Sequence, residues 1–164
     1  MSSLMMLLSY MLLMQTAPAT EGFRGHLWGT TDTVVFTDDT EIVCGEPSDR
    51  GDTVIYECDK GRTRIFFNFD KTDKGNVLAS GQMQVPFEES EAVGMGMFNK
   101  YGSGTRVRKG YYRWETQDSA IHMEMRESGL WLIYLDLAGI KAKAEKQKKQ
   151  DAEKQDKAVE DLKL

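Results

Sequence analysis

Hydrophobic and polar positions change rhythm several times along this chain, and each change marks an element. Residues 4–14 form an apolar run broken only by Ser9 and Tyr10. From residue 53 the rhythm becomes period two, in three runs at 53–58, 63–69 and 76–85. Turn residues separate them: Asp59-Lys60-Gly61, then the stretch 70–75. Ile65, Phe67 and Phe69 share one face of the second run, and Val77, Ala79, Gly81, Met83 and Val85 one face of the third. Alternation of this kind predicts antiparallel strands with one buried face. Pro86 closes the set, and 87–101 then reads as a helix with acids in its first turn and Gly102 as its stop. Gly94 and Gly96 inside it predict close packing on the sheet. Three more strand runs follow at 107–114, 119–126 and 130–137. The last is apolar on both parities, which places it centrally and covered on both sides. Residues 32–43 stay open between strand and helix, since Thr33 to Phe36 are mostly β-branched while Val35, Asp39, Ile42 and Val43 could line a helix.

The expected fold is therefore α+β: an antiparallel sheet of about six strands, one packed helix, and a charged C-terminal helix. The order, an uncertain element and three strands followed by a helix and three strands, suggests a doubled αβββ unit.

The apolar run at the start sets the organisation. At about eleven residues it is too short to cross a bilayer, which takes roughly twenty. Small residues follow it in Ala17-Pro18-Ala19. This is the pattern of a cleaved secretory signal, giving a leader at 1–19, an α+β domain at 20–138 and a helical tail at 139–164. A basic residue ahead of the run is missing, the first being Arg24, and Met1, Met5, Met6, Met11 and Met14 leave the true start open. An uncleaved anchor or a buried core element are the alternatives. With cleavage the expected location is periplasmic or secreted, with no stable membrane span.

Charge is uneven. The tail holds eight Lys against six acids, and the rest thirteen basic against twenty acidic residues, so +2 is joined to −7. An acidic body repels phosphate backbones, which excludes nucleic acid as a partner. The tail, rich in Lys, Glu, Gln and Ala, has the composition of the coiled-coil class and the favourable pairs Glu145–Lys149 and Glu153–Lys157, but no sustained apolar seam. It is either a solvated helix or one that docks on a partner or on the sheet.

Cys44 and Cys58 flank the turn-forming stretch 46–52. A hairpin centred near Gly51 would set them opposite one another. In an exported chain the pair reads as a disulfide, in a cytosolic one as two thiols.

Catalytic chemistry has little footing. His122 and Glu124 share a strand face and could supply two metal ligands where a structural zinc needs four, so neither a metal nor a cofactor is expected. Ser103 lies in a Gly-rich stretch that lacks the ending of a phosphate-binding loop. The acids Asp38, Asp39, Glu41, Glu46, Glu88 and Glu89 read as turn and cap residues. Aromatic residues gather in the second half: Tyr111, Tyr112, Trp114, Trp131 and Tyr134. They are either core or an exposed patch. The expected interaction surface is Tyr112, Trp114, Trp131, His122 and Glu124.

Phe23-Arg-Gly-x-x-Trp28-Gly-Thr30, Asn99-Lys-Tyr-Gly102 and Trp114-x-Thr116 together resemble a loose group of small exported bacterial proteins. Members carry an aromatic-Gly-Trp-Gly box after the signal and a Lys-Tyr-Gly helix end before a final β-meander. The resemblance spans roughly residues 23–137 and implies an exported α+β domain without assigned catalytic residues. The chain departs from the group over 31–43, where a clear helix is expected but the residues are β-branched and acidic. It also lacks a Cys at the cleavage site for a lipid anchor. These features together predict a non-enzymatic accessory protein binding an envelope protein; the alternative is a small envelope-acting hydrolase using surface acids with His122 and Glu124.

Overall fold

The structure is a computed structural model, and it describes residues 22–161. The leader, the apolar run at 4–14 and the cleavage site expected after residue 19 lie outside the described residues, as do 162–164 at the end of the tail.

After the segment around Trp28 comes helix α1 (Asp32–Asp38), followed by strands β1 (Val43–Cys44) and β2 (Ser48–Asp49). Three long strands follow: β3 (Thr53–Lys60), β4 (Thr63–Thr72) and β5 (Gly75–Val85). A 3₁₀ turn (Phe87–Glu89) leads into α2 (Ser90–Tyr101), then β6 (Thr105–Arg108), β7 (Tyr111–Glu115), β8 (Ser119–Arg126), β9 (Gly129–Asp136) and α3 (Leu137–Asp161). The strands form one nine-stranded antiparallel sheet in the order β1-β3-β4-β5-β9-β8-β7-β6, with β2 also on β3. Each half of the chain thus runs helix first and strands after, and the last strands of the two halves, β5 and β9, pair at the centre.

The mixed class and the antiparallel sheet agree with the sequence pattern, but the sheet has nine strands rather than about six. Residues 107–114 are not one strand. Lys109-Gly110 turns the chain, Gly110 taking φ 74°, and β6 folds back on β7. The other two additions, β1 and β2, are two residues long, too short to show a period. Residues 32–43 contain the helix α1, whose Val35 is fully buried, and only then a strand. The single packed helix therefore becomes two, α1 and α2.

Both helices lie on the same face of the sheet. Under α1 are Ile65, Phe67, Phe69, Cys58 and Leu78, joined by Phe23. Under α2, Met97 and Tyr101 pack on Trp114, Ile121, Met123, Leu130 and Leu132. Met83 and Tyr134, from the two central strands, touch both clusters and make them one core. Removing such side chains from water supplies the main driving force, roughly 1.5–3 kcal/mol each when fully buried. Gly102 ends α2 as expected, with φ 73° and its N–H donating to the Phe98 carbonyl. The glycines inside α2 differ from expectation: Gly94 faces Met123 at ordinary distance and Gly96 faces open space. The tail helix begins at Leu137, two residues before the expected boundary. Its base touches β8 and β9, Lys143 pairs with Asp70 at 2.6 Å, and from Ile140 to Gln155 it is exposed throughout. No coiled coil forms among the described residues.

Candidate functional site

The face opposite the helices is where the polar and aromatic side chains of the central strands gather. Register defines it. One row across the sheet is Arg64, Gln84, Trp131, Glu124 and Tyr111; the next is Phe66, Gln82, Ile133, His122 and Arg113. Strand alternation sends these outward because their neighbours Ile65, Phe67, Leu130, Leu132, Ile121 and Met123 are taken by the core. Phe66, Trp131, Ile133 and Leu135 are half-buried, and further along the same face Ala120 is buried and Lys143 of α3 reaches Asp70. As expected, β9 is central in the strand order, and among the described residues its outward side chains are partly shielded.

The aromatic rings of this face are held by cations. Phe66 and Trp131 stack with centroids 5.9 Å apart and planes 16° from parallel. The Arg64 guanidinium lies over Phe66 at 5.5 Å and that of Arg126 over Trp131 at 4.9 Å. Arg64 in turn pairs with Glu57. Trp131 donates its indole N–H to the Ser128 hydroxyl at 3.1 Å. Glu124 accepts from Arg126 at 2.6–2.7 Å and from Arg108 as well. The Arg126 hydrogen bond, together with both guanidinium charges, holds the Glu124 carboxyl below the usual carboxylate range. Arg108 also covers the ring of Tyr111 at 5.6 Å. The Tyr111 hydroxyl and His122 Nδ1 are 2.8 Å apart. Burial, aided by the Arg113 charge, pushes the His122 imidazole below its ordinary value.

The five residues expected to form one interaction surface divide between the two faces. Trp131, His122 and Glu124 stand on this open face. Tyr112 and Trp114 are on the other, where Phe98 of α2 meets them edge to face at 4.9 and 5.5 Å. Trp114 is 5% exposed and gives its indole N–H to the Gly102 carbonyl at 2.9 Å. Their parity was readable in the sequence; which parity α2 covers was not. Phe66, Ile133 and Arg64 belong to the open face and were missed, because a single Phe on the polar parity of β4 carries no signal until Trp131 arrives from 65 residues away.

Other features resolve as structure. Cys44 and Cys58 are direct cross-strand partners and form a disulfide, with the turn at Gly51 (φ 76°) between their strands. The Trp-Gly box is a staple between the two halves. Phe23 lies flat against Gly81 and touches Phe67 and Tyr134, while Trp28 donates to the buried Ser119 hydroxyl at 2.8 Å. Polar clefts lie away from the open face: one around Arg24, His26, Asp39 and Glu41, another between α3 and the strand ends at Asp52 and Asp70. In the first, burial raises the Asp39 carboxyl, but the Arg24 hydrogen bond and charge outweigh it and the net shift is downward. Among the described residues no three His, Cys, Asp or Glu side chains cluster as a metal site. Chemically the open face offers apolar edges and guanidinium groups, with a carboxyl and an imidazole that both bind a proton less readily than they ordinarily do.

Comparison with protein-family models, with curated proteins and with solved structures gives no match.

Proposed function

We propose that this protein is an exported, non-enzymatic accessory protein that holds an envelope or secreted partner protein against the open face of its sheet. The observation that carries the reading is the stacked Phe66–Trp131 pair beside Ile133, half-exposed at the centre of a sheet whose other face is closed by two helices. An apolar centre rimmed by arginine is the composition of a protein-binding patch, where Trp, Tyr and Arg carry most of the energy. The disulfide, and the absence among the described residues of a helix long and apolar enough to cross a membrane, are compatible with export as a soluble chain. The leader at 1–19 belongs to the same proposal.

Two guanidinium groups lower the Glu124 carboxyl, which suits it less to the general-acid role of the alternative hydrolase reading than to an ion-paired place in a binding surface. The test is site-specific photo-cross-linking in the native cell. A photoreactive residue at Ile133 should give a discrete protein adduct, and one at Met95, exposed on α2 behind the sheet, should not. The same adducts from both positions, or none from Ile133, would remove the open face as the binding surface.

A further inference from the structure

The open face ends at β6, and β6 differs from the rest of the sheet. Among the described residues it is the last strand in the order and pairs only with β7, and all four of its residues are exposed. A strand in that position presents one unpaired row of backbone N–H and C=O groups. Its side chains are Thr105, Arg106, Val107 and Arg108, with Lys109 next and Arg113 paired across from Thr105. Five cations (Arg106, Arg108, Lys109, Arg113, Arg126) thus surround this corner, against Glu115, Glu124 and Glu127. Among the described residues Arg106 and Lys109 form no ion pair, Arg113 pairs with Glu115, and Arg108 and Arg126 share the single carboxylate of Glu124. This is a positive corner on a chain whose net charge is −5.

We infer that β6 is the docking edge for an extended acidic segment of the partner protein, which adds to the sheet as a further antiparallel strand. The inference rests on the reading of the open face as a binding surface and specifies how the partner enters it. Main-chain hydrogen bonds along β6 supply affinity in strand addition, and alternate side chains supply specificity. One set of the incoming side chains would lie beside Arg108, Tyr111 and Arg113 on the open face, leading toward Trp131. The other set would meet Arg106 at the edge.

The charges also say what the edge rejects. Two β6 edges brought together would oppose Arg106, Arg108 and Lys109 with their own copies. The opposite edge of the sheet mixes Glu46, Asp49 and Asp52 with Arg50, Asp49 being paired with Lys71 at 2.6 Å, and Pro47 within it has no N–H to give to a ladder. Pairing between copies is disfavoured on both counts, and an acidic strand from another protein is not. A glycan fits less well. The faces of Phe66 and Trp131 that would stack on a sugar ring are already occupied by each other and by Arg64 and Arg126, leaving ring edges and guanidinium groups.

The experiment uses the whole exported chain and two ten-residue peptides, one alternating Glu with Val and the other Lys with Val. The acidic peptide should bind at least tenfold tighter than the basic one and lose most of its affinity at 0.5 M salt. On binding it should slow hydrogen exchange at the backbone amides of residues 105–108. The double variant Arg106→Glu with Lys109→Glu changes two exposed, unpaired side chains, so the sheet should persist while affinity falls tenfold or more. Equal binding of the two peptides, no binding of either, or binding of the acidic peptide without protection of 105–108 would each overturn the inference. Adducts from Ile133 alongside such a failure would leave the open face standing and remove the edge.

Discussion

Phe23 shows what a single residue settles in this fold. Its ring occupies the space a side chain at Gly81 would take, in the middle of β5, so the glycine is there to admit the aromatic. Glycine in a strand ordinarily weakens it, and here the buried ring offsets that. Gly81→Ala should therefore destabilise the protein by about 1–3 kcal/mol through overpacking. A urea midpoint that does not move would show that Phe23 relaxes freely. His122 supports a second expectation. Its imidazole is held below its ordinary value by burial and by Arg113, so the unfolded chain binds the proton more readily than the folded one. Stability is then full above the unfolded value and declines as pH falls from about 6.5 through the lowered folded value. His122→Gln should flatten that part of the stability profile, measured by denaturant unfolding between pH 7 and 5. An unchanged slope would mean another group titrates there.

At the scale of elements, β1 is a two-residue strand at the edge of the sheet, and the Cys44–Cys58 bond ties it to β3. Closing a loop of this length contributes roughly 3 kcal/mol in the chain-entropy model. Replacing both cysteines with Ala should lower stability by about that amount in guanidinium unfolding and leave the central strands intact; a drop below about 0.5 kcal/mol would mean the edge is held by its strand pairing alone. The pairing of these cysteines was legible in advance because a turn at Gly51 makes positions 44 and 58 symmetrical about it. The hairpin β6–β7 was not, since Lys109-Gly110 is a two-residue turn inside a run whose Val107, Tyr111, Tyr112 and Trp114 favour strand. Helix α1 was ambiguous for a related reason. Asp32 fixes its first turn to the sheet: its carboxylate accepts the Thr33 N–H, the Tyr56 hydroxyl and the Asn76 amide at 2.8–3.2 Å. Two of those three partners come from β3 and β5, so the helix start is anchored by strands distant in sequence.

On the scale of the whole molecule, the two packed helices close one face of the sheet, and the β6 edge carries more cations than acids. The alternating runs by themselves determined that the core strands are antiparallel, that each has one buried parity, and that Cys44 and Cys58 can meet. Those properties follow from the two-residue period of a strand and from local turn chemistry, both written in neighbouring residues. The tertiary structure alone decided that α1 and α2 lie on the same side, which buries Trp114, packs the half-buried Tyr112 against α2 and leaves Trp131, His122 and Glu124 on the other face. It also decided that β5 pairs with β9, bringing Phe66 within stacking distance of Trp131, and that β6 is left at the edge with its arginines. Local pattern says which residues share a face; only the packing of distant elements says which face is covered.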